Sequence, residues 1–281
     1  MDISIIIPVR DEEESIASLY LELEKVMSNI GLSYEIIFVD DGSTDSSVRE
    51  IKAIKLLDKN IWLFSTKEVK GKSQALMIGF KGAAGKWIIT MDGDLQDVPS
   101  EIPKFLQVIK DYDMVTGWKQ NRKDPKNKLI ASKIANKVIN LIAQTKVHDM
   151  NCGFKIYRRK VVKDLELKKG FHRFIPMILK SKGYKVGEVK IKHRKRKYGK
   201  SKYGFTRLFT SFYDLIRVLA VIRKNFFSYL WIGAFVTLLN IFLLWLLIDK
   251  FYIPTIISSS LVILGIFFFK FWLYKKTGFT K

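Results

Sequence analysis

Asp92 and Asp94 flank Gly93 at the end of an apolar run, Trp87-Ile88-Ile89-Thr90-Met91. A short apolar run closed by a turn reads as a buried strand. Both carboxylates therefore stand at a strand tip, where open α/β sheets bind their ligands. Two hard oxygen donors suit Mg2+ or Mn2+, which needs few protein ligands when a diphosphate supplies the rest. Gln96 is placed to add a carbonyl oxygen or a supporting contact. Gly93 is expected to let the backbone turn tightly and approach a ligand. A lone Asp-x-Asp also occurs in solvated turns. The strand before it, and Leu95-Gln96-Asp97 and a helix after it, make this one a candidate metal site.

Asp40-Asp41 forms a second acidic pair at a strand end. Carboxylates there can hold ribose hydroxyls or a base edge. The alternative is local: Ser43, Thr44 and Asp45 can cap the next helix. Two nucleotide motifs are excluded. Gly71-Lys72-Ser73 resembles the end of a P-loop, but Thr66 stands where that motif needs glycine, and no GxGxxG follows the first strand.

The elements that must position these residues alternate. Apolar runs at Ile3–Val9, Tyr34–Val39, Ile61–Ser65, Lys86–Met91 and Met114–Gly117 predict strands. Helical spacing is read at Glu12–Asn29, Ser46–Asp58, Ser73–Ala84 and Glu101–Lys110. Strand–helix alternation predicts a parallel, doubly wound sheet. The pattern then changes. Lys128–Gln144 is amphipathic, Phe154–Tyr157 and Val186–Ile191 read as strands, and Lys185–Lys202 is densely basic. Phe205–Ile222 carries Phe205, Leu208, Phe209, Phe212, Ile216 and Leu219 at helical spacing, as an in-plane interfacial helix or an ordinary core helix would.

The chain has 281 residues and a formal net charge of +22. That excess implies an anionic partner. Beside a membrane segment, lipid head groups and phosphorylated substrates account for it, and no nucleic acid is expected. Cys152 is the single cysteine, so an intrachain disulfide and a cysteine zinc cluster are excluded. Met1-Asp2-Ile3-Ser4 is acidic and does not read as a signal peptide. Phe226–Ile248 carries no charge and rises about 34 Å as a helix, enough for a hydrocarbon core of about 30 Å. Asp249-Lys250 separates it from a second apolar run, Phe251–Tyr274, with Pro254 in its first turn, which predicts a tight hairpin. A buried helical pair in a soluble protein is the alternative. Arg217, Arg223 and Lys224 precede the hairpin and Lys275, Lys276 and Lys281 follow it, which puts the catalytic domain and both termini in the cytoplasm. A metal–diphosphate site and a membrane anchor together suggest a nucleotide-activated donor and a lipid acceptor.

These residues carry a resemblance. The chain resembles family-2 glycosyltransferases of the GT-A fold, in the polyprenyl-phosphate group that includes dolichyl-phosphate mannose synthases and bacterial polyisoprenyl-phosphate glucosyltransferases. Pro8-Val9-Arg10-Asp11-Glu12 is similar to the opening donor block, with Arg10 and Asp11 as departures. Asp40-Asp41-Gly42-Ser43 matches the nucleotide block, Gly71-Lys72-Ser73-Gln74-Ala75 the helix before the metal site, and Met91 to Gln96 the metal block. Gly117-Trp118-Lys119 with Arg122, Lys128 ahead of Ser132, Asp149 to Phe154, His172-Arg173-Phe174, and Arg196 with Gly199, Ser201, Lys202 and Tyr203 match blocks of the lipid-phosphate group.

The resemblance implies a Rossmann-like nucleotide-diphospho-sugar transferase domain over residues 1–202; the apolar and basic patterns add a juxtamembrane helix over 203–225, a transmembrane hairpin over 226–274 (226–248 and 251–274), and a cytoplasmic tail over 275–281. It implies donor contacts from Pro8, Arg10, Glu12, Asp40, Asp41, Ser43, Lys72, Gln74, Asp92 and Gly93, and metal contacts from Asp92, Asp94 and Gln96. Acceptor-phosphate contacts fall to Lys119, Arg122, Lys128, Arg196, Ser201 and Lys202. Lysine in place of arginine at 119 and 128 keeps the charge and loses the bidentate fork. Asp94 is implied in leaving-group stabilisation through the metal. Asp149 orients the acceptor, accepts a bond from the sugar, acts as a base, or merely caps a turn. The implied reaction moves glucose or mannose from UDP or GDP to dolichyl or undecaprenyl phosphate with inversion. The rivals are a membrane transferase with a glycolipid or polysaccharide acceptor and a non-catalytic basic scaffold. No Arg-Trp pair of the processive synthases occurs. The anchor could also pack between subunits of a homo-oligomer.

Overall fold

A computed structural model describes residues 1–119, 147–195, 206–222 and 224–276. Arg122, Lys128, Arg196, Ser201 and Lys202, and the amphipathic stretch Lys128–Gln144, lie outside the described residues.

Seven strands form one sheet: β1 Ile3–Val9, β2 Tyr34–Asp40, β3 Ile61–Ser65, β4 Trp87–Thr90, β5 Met114–Lys119, β6 Lys155–Arg158 and β7 Val186–Ile191. Their order is β3-β2-β1-β4-β6-β5-β7. Ile3, Ile5, Ile7 and Val9 of β1 pack into the main core with Ile16, Leu19, Leu23 and Met27 of helix α1, Glu13–Ile30. That i, i+3, i+4 spacing is the apolar stripe of a helix lying on a sheet. Each such side chain contributes about 1.5–3 kcal/mol on burial. Helix α2 is Ser47–Leu57. Helix α3, Lys72–Gly82, buries Ala75, Leu76 and Phe80, and α4, Ile102–Val108, buries Ile102 and Phe105.

The expectation of a parallel sheet holds in direction for every strand but β6. β6 runs antiparallel to both β4 and β5, and β5 pairs parallel with β7. β5 therefore does not neighbour β4: a strand from later in the chain lies between them. This reversal positions the site. Lys155 at the start of β6 faces Thr90 at the end of β4. The Asp149–Phe154 segment before β6 is thereby delivered to the edge that carries Asp92.

Two short helices, α5 Arg159–Lys163 and α6 Ile175–Ser181, have no counterpart in the sequence reading, being too short to show a period. Helix α7, Thr206–Ile222, follows. Two compact units result, Met1–Asp214 and Leu215–Lys281. The second holds α8, Lys224–Trp245, and α9, Thr255–Lys276. Its spans Trp231–Lys250 and Thr255–Leu273 are long and apolar enough to cross a membrane, and only 6% and 17% of their windows are buried. Val236, Val262 and Ile266 form the small core of the pair. The connection is wider than a tight turn at Asp249-Lys250. Leu246–Lys250 widens into a π turn, and Pro254 precedes α9 instead of lying in its first turn, its carbonyl accepting from Ser258 N–H at 3.0 Å.

Candidate active site

The first two strand ends are locked together. Ser43 Oγ accepts from Asp11 N–H (3.0 Å), Ser47 Oγ from Glu12 N–H (2.8 Å) and Asp45 Oδ2 from Glu13 N–H (3.1 Å). In return Asp11 Oδ1 accepts from Thr44 N–H at 2.7 Å. Pro8, Arg10, Glu12, Asp40, Asp41 and Ser43 are thereby brought to one edge. Asp40 and Asp41 are both buried, however, and both hold backbone. Asp40 Oδ1 accepts from Ser43 N–H at 3.0 Å, and Asp41 Oδ1 from Lys70 and Gly71 N–H at 2.7 and 3.0 Å. The capping alternative is met by Asp45, which accepts from Ser47 N–H at 2.9 Å. Gln74 reaches away from this edge, its amide donating to Leu167 O at 3.0 Å.

In the Asp92–Asp94 loop the left-handed turn is not made by Gly93. Leu95 makes it, at φ 62°, with its side chain buried. Gly93 sits in a close approach: a Cβ there would lie 3.1 Å from Val9 Cγ1. Its carbonyl accepts from Ser15 Oγ at 2.7 Å, which ties the loop to α1. A bulky residue held at positive φ marks a loop whose surroundings over-determine it. Asp94 Oδ1 accepts from Gln96 N–H at 3.2 Å, and the Gln96 amide donates to Arg194 O at 3.3 Å.

Lys72, in the first turn of α3, forms an ion pair with Asp92 Oδ1. Gly153 lies against the same carboxylate, since a Cβ on it would stand 2.5 Å from Asp92 Oδ1. Thr90 Oγ donates to Gly153 O at 2.8 Å and fixes that approach. A small pocket opens here, lined by Lys72, Asp92, Gly153, Lys155, Tyr157 and His172 among others. His172 Nδ1 is 2.9 Å from Ser73 Oγ, so the His172-Arg173-Phe174 block also reaches the site. Arg173 in turn pairs with Asp214 of α7 at 2.9 Å.

A buried ion pair lies under the loop. Asp97 Oδ1 is 3.1 Å from Lys119 Nζ and 3.7 Å from His193 Nδ1, while Asp97 Oδ2 accepts from Asp92 N–H at 3.3 Å. Burial alone would raise the Asp97 pKa. Lys119 first, with His193 nearby and the bond from Asp92 N–H, outweighs that and holds its carboxyl well below the usual range. Burial also works against the Lys119 ammonium, but Asp97 more than offsets it and keeps the group charged. Lys119 was expected to hold a phosphate from the surface. It is turned inward, where the Asp97 carboxylate 3.1 Å away compensates the burial of its charge. Asp97 was not singled out in the sequence; its place three positions after Asp94 is the signal that could have found it. Asp149, also buried, is set by Glu188, whose Oε1 accepts from Asp149 and His148 N–H at 3.0 and 2.8 Å. The His148 ring stacks on Trp118 at 3.9 Å. Cys152 is buried and its thiol is pushed up to about 12, which leaves it unreactive.

Asp92, Lys72, Gly153, Lys119, Asp97 and Asp149 therefore converge on one end of the sheet. Among the described residues no three His, Cys, Asp or Glu side chains cluster as a self-sufficient metal centre. The carboxylate pair fits a metal that takes its remaining ligands from a substrate. Lys72 shows that Asp92 already attracts a cation.

Comparison with known proteins agrees. Residues 4–166 match the family described as Glycosyl transferase family 2. Dodecaprenyl-phosphate galacturonate synthase of Rhizobium johnstonii is 34% identical over 264 residues, covering 89% of this chain and 77% of the relative. Undecaprenyl-phosphate 4-deoxy-4-formamido-L-arabinose transferase of Proteus mirabilis is 33% identical over 219 residues, covering 77% and 67%. Glucosyl-3-phosphoglycerate synthase from Mycobacterium tuberculosis, solved with Mn2+, uridine diphosphate and phosphoglyceric acid, superposes with a TM-score of 0.62 at 17% identity, over 79% of this chain and 78% of that one. At that identity the likeness carries the fold, which is GT-A. The chain belongs to glycosyl transferase family 2, within its group of polyprenyl-phosphate glycosyltransferases.

Proposed function

We propose that the chain moves a glycosyl group from a nucleoside diphosphate sugar to a polyprenyl phosphate at a membrane surface, with inversion. The observation that supports this reading is the reversal of β6, which brings Gly153, in a block shared with the lipid-phosphate group, against Asp92. The relatives' sugars, galacturonate and 4-deoxy-4-formamido-L-arabinose, widen the donor class beyond glucose and mannose.

Asp92 and Asp94 would hold a divalent ion, Mg2+ or Mn2+, with Gln96 beside them. When bound, the ion supplies charge neutralisation on the departing diphosphate. Lys72 is close enough to Asp92 to turn onto the diphosphate once the carboxylate is engaged. Asp149, held through its backbone by Glu188, orients the attacking phosphate. The acceptor is a phosphate monoester with a second pKa of about 6, so positioning matters more than deprotonation. With Lys119 committed to Asp97, Arg122, Lys128, Arg196, Ser201 and Lys202 hold the acceptor phosphate, and Lys119 positions the metal loop. Residues 1–202 form the catalytic domain. The exposed Phe212 and Ile216 of α7 rest in the head-group layer of an anionic leaflet. The hairpin spans the bilayer with both ends cytoplasmic, as its basic flanks require.

The test is glycolipid formation from a panel of nucleoside diphosphate sugars and extracted polyprenyl phosphate, with Mg2+ or Mn2+. Asp94→Asn should lower transfer at least about a hundredfold, because the isosteric amide keeps the bond from Gln96 N–H and loses the charge. Wild-type turnover in that variant refutes the metal assignment. Absence of lipid-linked product from every donor refutes the function.

A further inference from the structure

The amphipathic pattern of α7 has one residue out of place, Asp214. Among the described side chains of α7 it is buried together with Val218, four positions on, while Phe212, Tyr213, Ile216 and Val221 are exposed. An amphipathic helix ordinarily holds an apolar residue on its buried stripe. A carboxylate placed there needs a partner. The partner is Arg173, whose Nη1 donates to Asp214 Oδ2 at 2.9 Å, the two side chains being 13% and 11% exposed. Asp214 is the last residue of the first compact unit, so the pair lies inside that unit.

The catalytic domain is shaped to receive this carboxylate. Gly170 lies against it at φ 88°, and a Cβ there would stand 2.1 Å from Asp214 Oδ2. Both the backbone angle and the close approach call for glycine. Gly170 leads into a short turn, Phe171–Phe174, that carries Arg173 and His172. The same segment is fastened to the first turn of α3. Leu167 O accepts from the Gln74 amide at 3.0 Å, and Ser73 Oγ accepts from His172 N–H at 3.3 Å and lies 2.9 Å from His172 Nδ1. Ser73 is buried. Lys72, one residue earlier, pairs with Asp92 and lines the pocket together with His172. Bonded contacts therefore run from Asp214 to Arg173, from His172 to Ser73, and from Lys72 to Asp92.

A buried ion pair adds little stability over apolar residues of similar size, and its use is the geometry it fixes. Among the described residues Arg173 Nε is buried without a bond, and Asp214 is the carboxylate that holds the guanidinium. We propose that Asp214 is a positioning residue for the donor site. Through Arg173 it holds residues 167–174 against α3, and so sets Lys72 where the diphosphate and its metal are bound. The juxtamembrane helix then belongs to the frame of the donor site and is more than a tether. This rests on the glycosyl transfer proposed above and adds a residue to it.

The test uses the full-length protein. Calorimetry with Mn2+ and UDP, GDP, ADP or dTDP gives nucleotide affinity, glycolipid formation gives the donor and acceptor KM, and thermal unfolding gives stability. Asp214→Asn and Arg173→Met should each weaken the nucleotide that the wild type binds by at least about tenfold. Donor KM should rise with it, and acceptor KM should stay within about twofold of wild type. Arg173→Lys should keep most of the affinity, because the pair uses one nitrogen. The double variant Arg173→Met, Asp214→Leu should regain thermal stability without regaining nucleotide affinity. If it regains both, the pair is a structural staple and the inference is overturned. Single variants that lose stability but bind nucleotide like wild type overturn it too, as does an effect confined to the acceptor KM. If Asp214→Asn does not fold, Arg173→Met against Arg173→Lys decides on the same readouts. A wild type that binds none of the four nucleotides and forms no lipid-linked sugar overturns the proposed function itself, and this inference with it.

Discussion

Lys72 and Asp92 form an ion pair across the mouth of the pocket, both side chains about a third exposed at 28% and 32%. The carboxylate best placed to hold a metal is thus already neutralised by the chain's own cation. If Asp92 holds the proposed divalent ion, that ion would displace the ammonium and leave Lys72 free for the diphosphate.

Lys72→Met should therefore separate two effects. The metal concentration for half-maximal activity should fall several-fold, because Asp92 no longer has a competitor. Turnover at saturating metal should fall as well, because the diphosphate loses a cation. A metal titration of transfer, read as both midpoint and plateau, tests this. An unmoved midpoint means that the pair does not gate the metal.

Gly153→Ala places a methyl group 2.5 Å from Asp92 Oδ1. Thr90 Oγ holds the Gly153 carbonyl, so the carboxylate has to move. Overpacking of this kind costs about 1–3 kcal/mol. The expected result is a modest loss of stability with a much larger loss of metal-dependent transfer. Calorimetric donor binding with and without Mn2+ reads the displacement, and metal enhancement equal to wild type would contradict it.

Asp97 carries a stability prediction. Asp97→Ala leaves Lys119 buried and unpaired and should cost about 3–5 kcal/mol. Adding Lys119→Met should recover part of the loss, since an apolar side chain suits the site. The Asp97 pKa is lower folded than unfolded. Its contribution is therefore fully present above the unfolded carboxylate value of about 3.9 and is lost as pH falls through the lower folded value. Urea midpoints at neutral and acid pH, for wild type and Asp97→Asn, should converge as the pH falls. A gap that stays constant would show that Asp97 acts through packing alone.

Truncation after Lys224 removes the two apolar helices and leaves the compact unit Met1–Asp214 intact in the chain. The shortened protein should bind donor and use long-chain polyprenyl phosphate poorly, because the anchor supplies local acceptor concentration. A short, water-soluble polyprenyl phosphate should restore much of the activity. A folded, donor-competent truncation that stays inert with that acceptor would place the hairpin inside the acceptor site.

The sequence by itself determined the seven strands, the helices up to α4, the carboxylate loop, and the two apolar helices. Each is a local pattern: the run Ile3–Val9, the α1 stripe, and the uncharged stretches after Lys224 need only their neighbours in the chain to declare themselves. The family blocks likewise mark Asp92, Lys72, Asp149 and Gly153 within the sequence. The tertiary structure alone decided which way β6 runs, because strand direction depends on partners far along the chain. It decided that Leu95, and not Gly93, takes the left-handed turn, because the crowding of Gly93 comes from Val9. It turned Lys119 inward onto Asp97 and buried Lys155 and Tyr157 in the sheet beside Asp92. A charge in a sequence carries no mark of burial. Only the packing of distant segments shows whether it meets water or a partner.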